Sequence, residues 1–245
     1  LRQSLALAEQ IHTSQSQWFA IRLTSLGSCL SEAGRLADST PLLREAASTL
    51  EQAVGASHTW TLIALRALAR SLAAQGRTED AKPLAERVLD RFKQKTGAES
   101  AQSADTLRLL AGLRFAAGER RQGLALAQDA VRILQKAHGP QYPQTAMAML
   151  DLARLELYDG QAQPARARLE TAESAFDAIT DRPRALTARM LRGLALTRLG
   201  HPQEGEQMLR AAVSERARMY GAGNPNTAEA EVYLGAYLLA NGQSS

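Results

Sequence analysis

Residues 23–46 read LTSLGSCLSEAGRLADSTPLLREA. Leu23, Leu26, Gly27 and Leu30 recur at offsets of three and four, which places them on one face of an α-helix. Gly34 stands in a polar stretch and can take the left-handed conformation that ends a helix. Ser39 and Ala46 then mark a second helical run, so the stretch reads as helix, tight turn, helix.

The same stretch returns along the whole sequence. The turn glycine recurs at Gly34, Gly76, Gly118, Gly160, Gly200 and Gly242, at spacings of 42, 42, 42, 40 and 42. Seven positions earlier stand Gly27, Ala69, Ala111, Ala153, Gly193 and Gly235. Leu26, Leu68, Leu110, Leu152 and Leu234 precede them, and Arg192 breaks that column. Five after the glycine come Ser39, Ala81, Gly123, Ala165 and Gly205, and twelve after it Ala46, Val88, Ala130, Ala172 and Ala212. Small residues where two helices cross allow close approach. One such hairpin cannot bury its own apolar face, so neighbours must stack.

Composition agrees. Of 245 residues, 46 are Ala and 37 Leu, the two strongest helix formers among apolar residues. An apolar fraction of 45% excludes disorder as the main state, and a single Cys excludes a disulfide scaffold. No apolar run approaches the roughly 18 residues of a membrane span. The net charge is +4, but residues 57–124 carry +5, residues 125–181 carry −3 and residues 182–218 carry +5. No uniform basic tract exists, which argues against nucleic acid as the partner.

The Leu-small pair, the turn glycine, the small residue five later and the Ala twelve later resemble the tetratricopeptide repeat (TPR). The 42-residue period is similar to the longer form found in kinesin light chains and many bacterial regulators. The linkers Gly139-Pro-Gln-Tyr-Pro-Gln-Thr145-Ala146 and Gly221-Ala-Gly-Asn-Pro-Asn-Thr227-Ala228 agree with this. Pro143, Pro183 and Pro225 fall where a helix begins. The resemblance implies an all-α fold, a right-handed superhelical solenoid forming a single domain over residues 1–245. Its full repeats are expected at about 16–55, 58–97, 100–139, 142–180 and 182–221, with partial repeats at 1–13 and 224–241. Both ends fall in mid-repeat, as in a piece of a longer protein. Arg114, Glu156 and Arg192 stand where other repeats have Leu, so packing is expected to depart there.

Residues that would carry chemistry are missing. There is no His-Glu-x-x-His, no Cys pair and no Gly-x-Ser-x-Gly. Gly118 and Gly123 have the spacing of a phosphate loop, but Leu124 stands in place of its Lys. Gly221-Ala-Gly223 occupies the linker slot of Gly55, Gly97 and Gly139. His12, His58, His138 and His201 lie near helix ends in different repeats and read as surface or capping groups, not as metal ligands. Cys29 reads as a small packing residue, and no carboxylate pair reads as buried for acid–base work. No enzyme activity and no cofactor or metal is expected.

A surface remains. The resemblance implies that the first helices of the repeats line a concave, partner-binding side. The face opposite Leu23, Leu26 and Leu30 runs through Ile21, Thr24, Ser28 and Ser31. In later repeats it holds Arg66 and Arg70; Asp105, Arg108 and Phe115; Met147, Asp151, Arg154 and Tyr158; Met190, Leu194 and Arg198; and Val232 and Tyr233. The candidate partner-binding residues are Arg66, Arg70, Arg108, Phe115, Asp151, Arg154, Tyr158 and Arg198. Guanidinium forks suit carboxylates and phosphates, so the expected partner is a protein or peptide, acidic or offering its C-terminus.

The resemblance implies a non-catalytic scaffold. It further implies the sensory or regulatory region of a larger bacterial signalling protein such as a serine/threonine kinase, either periplasmic or cytoplasmic. The alternatives are a helical-repeat module that binds nucleic acid, and an oligomerisation region of a transcription regulator, including a homodimer.

Overall fold

The computed structural model describes residues 16–240. Among them, α-helices follow one another as α1 (Gln17–Glu32), α2 (Leu36–Val54), α3 (Thr59–Ala74), α4 (Thr78–Thr96), α5 (Ala101–Ala116), α6 (Arg120–His138), α7 (Pro143–Tyr158), α8 (Ala162–Ala178), α9 (Arg182–Arg198), α10 (Pro202–Tyr220) and α11 (Pro225–Ala240). No strand occurs among the described residues. The partial repeat expected over residues 1–13 lies outside them. The described residues fall into two compact units that divide between Leu126 and Ala127.

In the first unit each of α1 to α4 packs on the next, and α1 also touches α3 as α3 touches α5. Stacked helical hairpins produce this neighbour and next-but-one pattern. The core collects the expected face: Phe19, Leu23, Ala46, Leu50, Leu62, Leu65, Val88 and Phe92 are buried together. In the second unit α7 to α11 repeat the scheme, with α7 touching α9 and α9 touching α11.

The turn glycines work as their spacing implied. Gly34, Gly76, Gly118, Gly160 and Gly200 have φ between 74° and 86°. The next residue's N–H reaches back five positions: Arg35 to Leu30 O at 2.8 Å, Arg77 to Leu72 O at 3.0 Å and Gln161 to Glu156 O at 2.8 Å. This closure satisfies carbonyls that the helix end would leave orphaned.

The short repeat has a local cause. Most linkers open on a glycine, and a hydroxyl of the next helix donates to its carbonyl: Thr61 to Gly55 O at 2.8 Å, Ser103 to Gly97 O at 2.9 Å and Thr227 to Gly221 O at 2.9 Å. After α8 the backbone instead turns at Thr180, with φ 57°, and Asp181 N–H donates to Phe176 O at 2.9 Å. This is the tighter closure of the turn glycines, and α8 has 17 residues where α2, α4, α6 and α10 have 19. A β-branched residue in the left-handed region costs about 1–2 kcal/mol. Thr180→Gly is therefore expected to raise stability by about 1 kcal/mol, or the melting temperature by about 2–4 °C. An unchanged thermal melt would mean that the Thr180 hydroxyl bond to Ile179 O, at 2.7 Å, offsets the strain.

The columns that break the pattern are resolved by ion pairs. In the first unit Arg114 donates to Glu86 at 2.9 Å and also pairs with Glu119, which accepts from Lys82 at 2.9 Å. Hydrogen bonds from Lys82 and Arg114 hold the Glu119 carboxyl below its ordinary range. In the second unit Glu156 is 1% exposed and pairs with Arg168 at 2.8 Å. Burial pushes the Glu156 carboxyl above its ordinary value, against the pull of Arg168. Glu173 is also buried and receives Arg189 at 2.7 Å and Arg192 at 3.2 Å. Two carboxylates are thus buried after all, each against arginine. Cys29, expected to pack, is exposed, because the helix turns it off the Leu26–Leu30 face.

Candidate functional site

In the first unit α3 carries Arg66 and Arg70 one turn apart, and α5 carries Asp105, Arg108 and Phe115. Asp105 is shared: Arg66 lies 3.5 Å from one carboxylate oxygen and Arg108 3.4 Å from the other. Arg66 also donates to the Gln102 carbonyl at 3.4 Å, and its guanidinium sits 5.9 Å from the Phe92 ring centroid. Both arginine side chains are only 14% exposed. Burial lowers the Arg66 pKa, Asp105 opposes that shift, and Arg70 and Arg108 add to it. Arg70 is exposed. Phe115 is half-buried, with the Arg120 guanidinium 5.8 Å from its ring centroid. One carboxylate thus serves two partly desolvated cations, with a third cation beside them.

In the second unit α7 carries Asp151, Arg154 and Tyr158 along one side, and Tyr158 is 62% exposed. Arg154 is half-buried, and its Nε has no hydrogen-bond partner among the described residues. Arg198 on α9 donates to the Leu157 carbonyl in the last turn of α7. A cation there answers the orphan carbonyls and the negative end of the helix dipole. Arg198 thus ties α9 to α7.

Some residues of the expected binding face lie inside the fold. Met190 is fully buried and Thr24 is 7% exposed, its hydroxyl donating to Ala20 O at 2.9 Å. Both stand in the column ten positions before the turn glycine, the column of Arg66 and Arg108. That column borders core and surface at once. A long side chain reaches out from it, and a short or apolar one stays in.

His58 precedes α3 and its Nδ1 accepts the Trp60 N–H at 3.3 Å, a capping role. His138 stacks on Tyr142 with ring centroids 4.6 Å apart. Among the described residues no three His, Cys, Asp or Glu side chains are grouped to hold a metal, and no helix is long and apolar enough to cross a membrane.

Two residues were missed by the sequence reading. Trp18 and Trp60 are 56% and 42% exposed. Each stands 16 positions before its turn glycine, so aligning the repeats one column further would have found them.

Paired helices of fixed register, a left-handed glycine between them and surface cations on the first helices define a helical-repeat protein. It belongs to the tetratricopeptide repeat family, which matches residues 19–94 and 102–178. No curated protein sequence matches it. Among solved structures it is similar to a Podosopora anserina protein described as a putative kinesin light chain with nearly identical TPR-like repeats, with 21% identity, a TM-score of 0.61, and 81% of this protein and 94% of that one covered. BtubC (BKLC) from P. vanneervenii gives 18% identity and a TM-score of 0.67, over 84% of this protein and 82% of that one. A signal transduction ATPase with numerous domains from Pyrococcus horikoshii, bearing a tetratricopeptide repeat sensor, gives 15% identity and a TM-score of 0.63, over 98% of this protein and 36% of that one. At these identities the likeness shows the fold.

Proposed function

We propose that this protein is a non-catalytic scaffold that binds an acidic protein segment or a free C-terminal carboxylate on the first helices of its repeats. It serves as the sensory or regulatory region of a larger bacterial signalling protein such as a serine/threonine kinase. The observation that carries the binding role is the cluster of Arg66, Arg70 and Arg108 on adjacent first helices: Arg66 and Arg108 are held by Asp105 at 3.4–3.5 Å, and Arg70 is exposed beside Arg66. Charge-assisted hydrogen bonds from such a face to a carboxylate contribute about 1.5–3 kcal/mol each. The repeats of the Pyrococcus neighbour are described as a sensor, which is the role proposed here.

The test is capture from source-organism lysate, quantified by mass spectrometry, with the unaltered protein and a variant carrying Arg66→Glu, Arg70→Glu, Arg108→Glu and Arg154→Glu. The partner is expected to be captured at least about ten-fold less by the variant, the equivalent of one lost charge-assisted bond. A circular dichroism melt confirms that the variant is folded. Equal capture by both would place the site elsewhere.

A further inference from the structure

Every tryptophan in the protein is exposed, and both stand in one column. Trp18 and Trp60 are the only two among 245 residues, each the second residue of its helix, on α1 and α3. Tryptophan is large enough that folding normally buries most of it, and it is enriched among the residues that dominate binding energy at interfaces. One helical turn on stand Ile21 and Ile63, each half-buried with its inner edge against the core of the first unit. Since α1 and α3 touch, the register places the same Trp–Ile pair on two adjacent first helices.

On α3 the pair is followed by charge. Trp60, Ile63, Arg66, Ala67 and Arg70 fall on one side of the helix, with the indole at its N-terminal end and the guanidinium of Arg70 ten residues further on. At 1.5 Å per residue that is about 15 Å. On α5, which touches α3, Asp105 and Arg108 lie alongside, and a Cβ on Gly112 would meet nothing within 4 Å, so this end of the face is open. The surface is apolar at one end and carries guanidinium groups at the other, where Asp105 meets Arg66 and Arg108.

We infer that Trp18 and Trp60, with Ile21 and Ile63, form a second anchoring point for the partner. The bound segment carries bulky apolar side chains that seat on the indoles and an acidic group about 15 Å away that meets Arg66, Arg70 and Arg108. In an extended segment that distance is about four to five residues. Charge complementarity fixes the polarity of the occupant: an acidic end belongs on the arginines, and a purely acidic segment leaves the indoles uncovered. This inference rests on the binding role proposed above and adds the apolar half of the recognition.

The test uses random 12-residue peptides displayed on phage and panned on the immobilised protein. Enriched peptides are then synthesised with a fluorescent label. The only indoles lie at the site, so intrinsic emission reports occupancy directly. Enriched peptides are expected to pair an aromatic or large aliphatic residue with Asp or Glu and to shift the emission to shorter wavelength. They are expected to bind Trp18→Ala/Trp60→Ala at least ten-fold more weakly by anisotropy, with no change in the thermal melt. Arg66→Gln/Arg70→Gln/Arg108→Gln tests the other end in parallel. Peptides that need the arginines but bind the tryptophan variant equally, with unshifted emission, overturn this inference and leave the binding role standing. Peptides indifferent to both variants, or no enrichment at all, overturn both.

Discussion

Arg168→Leu is expected to destabilise the protein by about 3 kcal/mol at pH 7, while the double change Glu156→Leu/Arg168→Leu is expected to be neutral or stabilising. Glu156 is 1% exposed and Arg168 30% exposed, so removing the arginine strands a carboxylate inside the second unit. Burying a lone carboxylate costs enough that the group takes a proton instead. Removing one partner of a buried ion pair costs about 3–5 kcal/mol, and the low end applies here because Arg168 is partly exposed and Glu156 is already raised by burial with the arginine in place. Leucine at both positions restores what other repeats contain: Leu30 and Leu72 match Glu156, and Leu42, Leu84 and Leu126 match Arg168. Glu156→Leu alone is expected to cost less than about 1 kcal/mol, because Arg168 can extend its head to water.

The pH dependence has a definite sign. The folded-state pKa of Glu156 already lies above its unfolded value because of burial, and losing Arg168 raises it further. The folded state then binds the extra proton, so the contribution of Glu156 to stability is fully present below about 4.5 and is lost as pH rises through the folded pKa. The gap between Arg168→Leu and the double variant should therefore close on acidification from pH 8 to pH 5. Urea unfolding of the four proteins at several pH values measures it. Equal stability of Arg168→Leu and the double variant at pH 8 would show that Glu156 is not held in the interior as described.

This pair also shows where the sequence stopped being informative. The 42-residue period was legible because the turn geometry needs a glycine and the hairpin crossing needs small residues, and both recur in every copy. It even carried the helices through Pro41 and Pro83, which sit inside α2 and α4. Glu156 stood out as a break in a leucine column. Its partner did not, because Arg168 breaks a different column on the following helix, and only the packing of α7 on α8 joins them. Glu173 replaces Leu89 and Val131, Arg189 replaces Leu65 and Leu107, and Arg216 replaces Phe92 and Leu134. The first two meet at 2.7 Å, and Arg216 donates to the Thr187 hydroxyl at 2.6 Å. Each break looks like an isolated surface charge until the helices are assembled. The candidate face was legible to the same depth. Helical angle put Arg66 and Arg70 on one side of α3, but whether a border column is covered depends on neighbouring helices, which is why Met190 is buried and Arg66 and Arg108 share Asp105.

Gly205→Val is expected to cost the second unit about 3 kcal/mol, chiefly through overlap with the backbone of the facing helix. A Cβ at Gly205 would lie 2.6 Å from the Gly193 carbonyl oxygen, 2.3 Å from Thr197 Oγ1 and 3.1 Å from Thr197 N. The threonine hydroxyl can rotate aside at the cost of its bond to Gly193 O, at 3.0 Å, but the carbonyl and amide belong to α9 and cannot. Ala81 and Ala165 occupy the same column opposite Ala69 and Ala153. Those hairpins accommodate a methyl on each side, whereas α9 and α10 close through glycine on both. Gly205→Ala separates the two effects: alanine gains about 1 kcal/mol of helix propensity, which offsets part of an overpacking cost of about 1–3 kcal/mol. It should therefore fall between the wild type and valine. Valine has no comparable propensity gain and adds two methyl groups to the same gap, so the helices must part along the crossing. Urea unfolding of the three proteins, followed by circular dichroism, ranks them. Valine as stable as glycine would mean that α9 and α10 do not cross at this distance, and the small-residue column would lose its physical meaning in this repeat.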